Sequence, residues 1–380
     1  MKMQGYSGLF FAVIMGFYFF APAQEIGKKI HSTLTEISVR KDQIRLELDR
    51  DWENSVGKVG VFSEPRDIEI GKTGDIYVVD SAKKQISIFD SSGRRLRTIG
   101  KEGVKPGEFL FPESLALDNQ DNIVVGDDGW RGVRILNSIG KPMGGFRIKN
   151  APLGLLAITR TNKIVLPNTE RTFKPSPLLY IYDYQGAILG RRGQRDGDGS
   201  EQVFLLKNLA RFCTDTRDNL FVAYLVRPLI LKFTSSGERS MEITYELPFR
   251  IPEAASEQDK FVGSEGPFVK SISSDREGNI YIVTQARLKK GNEKSIGRTL
   301  AVTYEGEFMK VSTMKSDIKS EPTDLYQLLV FSSSGKIKAS RQLDIFCDQI
   351  KVIGDALFCI DTYVAHKIYR YKITYQRGSA

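Results

Sequence analysis

The chain is poor in the residues that most enzyme chemistries need. It has two histidines, His31 and His366, in 380 residues. That excludes a multi-histidine metal centre. A Ser-His-Asp triad would have to rest on His366, with no Gly-x-Ser-x-Gly elbow to present the serine. No phosphate loop or dinucleotide fingerprint occurs. The three cysteines, Cys213, Cys347 and Cys359, are too few and too far apart for a disulfide framework. A hairpin turning at Gly354-Asp355 sets Cys359 opposite Ile350 rather than Cys347, so buried free thiols are expected. The absence of any Asn-x-Ser/Thr acceptor favours a bacterial periplasm over a eukaryotic secretory route.

Charge of one sign is never concentrated. Lys and Arg number 55 against 46 acids, a net charge of +9, but acids lie between the bases along the chain. A nucleic-acid binder usually shows a clustered basic stripe, so no nucleic-acid partner is expected and weak attraction to anionic surfaces is. Long apolar runs are also missing, apart from Leu9 to Phe20. That run falls short of the ~20 residues a spanning helix requires. Preceded by Lys2 and followed by Ala21-Pro22-Ala23, it reads as a secretory signal over residues 1–23, with cleavage before Gln24. A retained membrane anchor is the alternative. No cysteine follows the small residues, so a lipid anchor is not expected, and no later segment is apolar enough to span. The chain is therefore expected to be exported, periplasmic or extracellular.

What the chain does have is glycine, 34 residues, with 15 Tyr and 22 Phe. Aromatics suit pleated faces and glycine suits tight turns. A repeat organises them. Asp67-Ile-Glu-Ile, the turn Gly74-Asp75, Ile76-Tyr-Val-Val-Asp80, Gln85-Ile-Ser-Ile-Phe89, Ser91-Ser-Gly93 and Leu96-Arg-Thr-Ile99 predict four strands with a period of two. The second strand of the repeat starts at Ile76, Ile123, Ile164, Leu220, Ile280 and Leu357, each after a turn signal. The second hairpin recurs as Phe89/Gly93, Leu136/Gly140, Tyr182/Gly186, Phe233/Gly237 and Phe331/Gly335. It is missing from the last repeat, which ends after Ile368 to Ile373. The spare strand Gln43 to Asp49 can supply the outer strand there and close a ring, removing open sheet edges.

The copies containing Pro65-Arg-Asp-Ile-Glu-Ile with Gly74-Asp-Ile-Tyr-Val-Val-Asp80, Phe109-Leu-Phe-Pro112, and Ser271 to Thr284 resemble the NHL repeat. The resemblance implies an all-β, six-bladed β-propeller of four-stranded antiparallel blades, like propellers of bacterial envelopes. It spans roughly residues 43–375, after a lead-in at 24–42 and before a tail at 376–380. It says little of function, because propellers host binding, hydrolytic, lyase and scaffold roles alike. The similarly shaped amidating and streptogramin lyases depend on channel histidines that this chain does not supply.

In such a fold the blade-to-blade connections share one face with the links from second to third strand. The long irregular stretches fall there: Arg191 to Leu206, Pro248 to Lys270, Asn168 to Pro177 and Gln285 to Thr323. Loops this long usually carry function. The last contains its own hairpin-like pattern from Arg298 to Lys310. Arg66 and Glu113, just after Pro65 and Pro112, are expected at the channel mouth, where they meet a charged ligand or solvent. Trp130 and Arg131 fall on the same face, Trp130 as a binding anchor or as packing between blades. Arg171 and Arg287 complete the candidate binding set. The position closing each second strand reads Asp80, Asp127, Asn168, Tyr224, Thr284 and Asp361. Asp80, Asp127 and Asp361 are candidate Ca2+ ligands or loop-bracing carboxylates. Asp196 to Glu201 lacks the spacing of a calcium loop.

Three functions follow. The first is an exported, non-enzymatic binding or scaffold propeller without a cofactor, taking a protein, peptide or glycan on its looped face, as a monomer or envelope subunit. The second is a calcium-dependent, lactonase-like or other hydrolytic propeller using channel carboxylates. The third is an assembly subunit docking through the basic stretch 286–298.

Overall fold

The computed structural model describes residues 27–148, 154–170, 176–195, 204, 207–251, 265, 267–291, 293, 300–305, 308–313 and 322–375. The proposed signal and the tail lie outside them. The chain enters through β1 (Lys28–Ser32), α1 (Leu34–Val39), β2 (Ile44–Leu48) and α2 (Arg50–Asn54). Thr33 caps α1 with a reciprocal capping box to Glu36, and the Asp49 side chain caps α2 at Trp52 N.

Blades then follow in order. The first is β3 (Pro65–Ile70), β4 (Ile76–Asp80), β5 (Gln85–Phe89) and β6 (Arg95–Ile99). The second is β7 (Pro112–Leu117), β8 (Ile123–Asp127), β9 (Gly132–Leu136) and β10 (Pro142–Arg147). The third is β11 (Ala157–Ile158), β12 (Ile164–Pro167), β13 (Pro177–Tyr182) and β14 (Ile188–Gln194). The fourth is β15 (Ala210–Thr214), β16 (Leu220–Tyr224), β17 (Leu229–Phe233) and β18 (Arg239–Tyr245). In the fifth, β19 (Val269–Ser274) and β20 (Ile280–Gln285) are followed by a separate hairpin, β21 (Leu300–Glu305) and β22 (Phe308–Thr313), before β23 (Tyr326–Phe331) and β24 (Ile337–Gln342). The sixth is β25 (Gln349–Ile353), β26 (Ala356–Asp361) and β27 (Lys367–Tyr375), completed by β2.

Five second strands begin at the residue the repeat predicts, and the sixth begins one residue earlier, at Ala356. The first strands of successive blades adjoin one another all the way round, β25 meeting β3, so the ring is closed. Closure is covalently staggered: β2 pairs antiparallel with β27, from Ile44 opposite Tyr375 to Leu48 opposite Tyr371. Cys359 lies opposite Ile350, as the hairpin register requires, and all three cysteines are free thiols.

Hydrophobic contact between blades holds the ring. Ile68, Ile76 and Val78 of the first blade pack with Phe358, Ile360 and Ile368 of the sixth, and Trp52 closes that cluster. Trp52 stacks edge-on against Phe358 at 5.5 Å and donates its indole N–H to the Ile368 carbonyl at 2.7 Å. Buried alternate residues on β4, β8, β16 and β20 leave these strands apolar on both faces, as strands between two neighbouring blades must be.

Two features depart from the sequence reading. The lead-in is not featureless: β1 adds a fifth strand to the fourth blade, parallel to β18, with Lys28 beside Met241 and Ser32 beside Tyr245. Arg191 to Gln194, read as a loop, extend β14 instead. No helix among the described residues is long and apolar enough to cross a membrane.

Candidate functional site

The inner strands put a charged ring where the central channel opens on the looped face. Each of β3, β7 and β19 carries a bulge near its start, and the extra residue is Arg66, Glu113 or Lys270. A bulge bends a strand and re-aims its side chain; here Arg66 and Glu113 meet across neighbouring blades, and Lys270 stands over the Tyr326 ring. Arg66 reaches Glu64 (2.7 Å), Glu113 (3.2 Å) and the Tyr363 hydroxyl (2.9 Å), with its guanidinium over the Tyr363 ring at 5.2 Å. Burial opposes its charge, but Glu113, Tyr363 and Glu64 outweigh that and hold Arg66 firmly protonated. Glu113 also accepts a hydrogen bond from the Ser81 hydroxyl at 2.9 Å.

Below the mouth lies a cavity of about 110 Å³, bounded by Asp67, Arg211, Cys213, Ser271, Gln349 and Lys351 among others from all six inner strands. Burial raises the Asp67 carboxyl to about 7, against the pull of Lys351. It accepts hydrogen bonds from Ile68 N (2.9 Å), Leu115 N (3.0 Å) and Gln349 Nε2 (2.7 Å). Lys351 pairs with Glu69. Ser271 and Ser273 accept from Ile350 N and Val352 N, pinning β25 to β19.

The candidate binding residues fare differently. Arg66 and Glu113 form an ion pair between neighbouring blades. Trp130 is clamped between the guanidinium groups of Arg134 (4.2 Å) and Arg147 (5.5 Å). Arg131 takes a left-handed conformation, φ 57°, in the neighbouring turn. Arg287 is held by Glu293 and Asp324. Arg171 and Asp196 to Glu201 lie outside the described residues. Sequence reasoning missed Arg211, Lys270 and Asp67. Lys270 had a usable signal, since Val269-Lys-Ser-Ile aligns with Pro65-Arg-Asp-Ile and Pro112-Glu-Ser-Leu.

The three candidate Ca2+ ligands brace loops. Asp80 accepts from Ser63 N, Glu64 N and Lys83 N, and Asp127 from Leu110 N, Phe111 N and Trp130 N. Asp361 accepts from Val364 N, and burial beside Asp348 raises its carboxyl to about 7. Each serves its own blade, and among the described residues no three His, Cys, Asp or Glu side chains gather round one ion position. His31 sits exposed on β1 beside Glu246, and His366 in the turn before β27, so neither lines the cavity.

The comparisons agree with this architecture. Residues 61–131 match the model of a protein family, DUF5128, described as a 6-bladed beta-propeller. The human E3 ubiquitin-protein ligase NHLRC1 is 29% identical over 70 residues, 18% of this chain and 18% of the ligase. The chain is a six-bladed propeller whose repeats resemble the NHL type. Protein brain tumor of Drosophila melanogaster is 26% identical over 138 residues, 35% of this chain and 13% of that protein. The propeller thus spans less than a fifth of the length of the curated relatives it matches. A crystal structure of a Bacteroides fragilis protein described as exported superposes with a TM-score of 0.56 at 11% identity, covering 92% of this chain and all of that one. That likeness is one of fold.

Proposed function

We propose that this chain is an exported, non-enzymatic binding propeller that takes a protein, peptide or glycan partner on the face where the channel mouth opens. One observation carries the reading. The bulged residues Arg66, Glu113 and Lys270 all lie near the starts of inner strands, the end of the blades that the long connections 195–209, 246–268, 168–176 and 286–325 serve. A charged centre ringed by long loops suits recognition. Export rests on residues 1–23, whose charged start, apolar run and small-residue site have the form of a signal. Backbone amides donate to Asp80, Asp127 and Asp361, which supports loop bracing by these carboxylates over the Ca2+-dependent reading.

The test is cross-linked capture of partners by the tagged chain in its native envelope, against a version with 294–321 replaced by a short linker. A stoichiometric partner that the linker version loses supports the reading. A partner retained by both versions, or none captured by either, overturns it.

A further inference from the structure

We propose that the channel mouth binds a carboxylate, seated between Arg211 of β15 and Lys270 of β19. The inference rests on the looped face being the recognition surface, and it names the chemistry recognised there. Arg211 leaves the inner strand of the fourth blade, and among the described residues it bonds only to backbone carbonyls: Nε to Lys270 O and Nη1 to Gly154 O, both 3.3 Å. A guanidinium has five N–H donors in a planar fork. Its Nη2 therefore has no hydrogen-bond partner among the described residues.

Lys270 stands beside it on the bulge of β19. Its ammonium lies 5.5 Å from the Tyr326 ring centre, and it makes no hydrogen bond or ion pair among the described residues. Burial pushes it down to about 8, with repulsion from Lys289 and Arg211 adding to the effect and Asp348 opposing it. Asp348 is a weak counter-ion: burial raises its own carboxyl, and it already accepts a hydrogen bond from Thr362 N at 3.0 Å. Two half-buried cations on adjoining inner strands, with donors to spare, suit an anion.

The surroundings select which anion. Glu113 and Asp67 act on Arg211, Asp348 acts on Lys270, and Glu64 acts on the neighbouring Arg66. A phosphate dianion would meet that negative rim, whereas a carboxylate carries one charge and fits the guanidinium fork. The space beneath, about 110 Å³, admits a small group and little more. The carboxylate arrives either on a free small acid or on an acidic side chain of the docked partner.

Titration calorimetry on the full chain uses three probes: acetate, a capped Gly-Glu-Gly peptide and inorganic phosphate. The variants are R211M, K270M and, on the opposite face, R94M. Binding of acetate or the peptide, weakened at least tenfold by R211M and by K270M and unchanged by R94M, is the expected result. Preference for acetate points to a free acid, and preference for the peptide points to a partner side chain. Phosphate bound more tightly than both carboxylates, no binding of either carboxylate, or equal binding by the channel variants overturns the proposal. If R211M fails to fold, K270M carries the same comparison. A partner lost on loop replacement yet captured by both channel variants would leave the looped face standing and remove the carboxylate site.

Discussion

Arg66 and Glu113, from the inner strands of neighbouring blades, stand 3.2 Å apart (Nε to Oε1) with both side chains almost wholly buried. The pair is a joint between blades as well as part of the mouth. Removing Arg66 takes from Glu113 and Glu64 the guanidinium that contacts both, and breaking a buried ion pair by removing one partner costs about 3–5 kcal/mol. Arg66→Met is expected to lose that much. Glu113→Gln is expected to lose clearly less, because Arg66 keeps Glu64 and the Tyr363 hydroxyl. Urea unfolding of the two variants gives the comparison, and equal losses would show that the pair is not what holds the mouth.

Asp67 makes stability depend on pH. Its folded carboxyl is raised to about 7 from an ordinary 3.8, so the folded state binds this proton more tightly than the unfolded state. The contribution is fully present below about 4 and is lost as pH rises to about 7. A shift of this size corresponds to a few kcal/mol, at about 1.4 kcal/mol per pH unit. Relative to Asp67→Asn, the parent chain is therefore expected to lose stability between pH 4 and pH 7 and to stay level above pH 8. Denaturant midpoints across that range test it, and a constant gap between the two proteins would refute the assignment.

The turns at the opposite face join blades through three left-handed residues. Asp121 (φ 58°), Asn162 (φ 57°) and Asp218 (φ 61°) each accept a backbone N–H from the preceding blade, from Lys72, Asn119 and Arg160. Asn162→Gly keeps the backbone conformation and loses the bridge. Asn162→Ala loses both and pays for a left-handed alanine, so it is expected to be about 1 kcal/mol worse than the glycine variant. Thermal melts of the two rank them, and equal melting points would mean that the backbone carries no strain there.

These turns also show why so much of the fold was legible. Each second strand follows a residue pair whose first member takes φ > 0, so Gly74-Asp75 or Asp218-Asn219 marks a boundary without tertiary information. Closure by β2 was legible because a strand count came out one short. The features that escaped notice depend on distant partners. Lys28 to Ser32 is too short and polar to announce a strand, and it becomes one only against the open edge of β18. Trp52 lies in a short helix and acquires its role 316 residues away, at the Ile368 carbonyl. Arg211 and Lys270 become a pair only when the ring sets β15 beside β19. Trp130, whose letters suited either a binding anchor or packing between blades, has two arginines over its ring that no local pattern links to it.

Asp127 separates bracing from metal binding. Its carboxylate accepts Phe111 N at 2.7 Å, Leu110 N at 3.0 Å and Trp130 N at 3.2 Å, and it faces Arg134 Nε at 3.4 Å. Four donors fill the acceptor sites that a hard cation would need, and the adjacent guanidinium would repel such an ion. Asp127→Asn keeps the shape but turns an amide N–H2 toward backbone donors, so one or more of those N–H groups is left unpaired. A buried donor without a partner costs about 1–3 kcal/mol, and the lost charge adds the stranding of Arg134. A loss of several kcal/mol is expected, the same with Ca2+ or with a chelator present. The parent chain's melting temperature is likewise expected to be indifferent to Ca2+. A Ca2+-dependent rise in the parent that Asp127→Asn abolishes would return the carboxylate to a metal, and with it the hydrolytic reading.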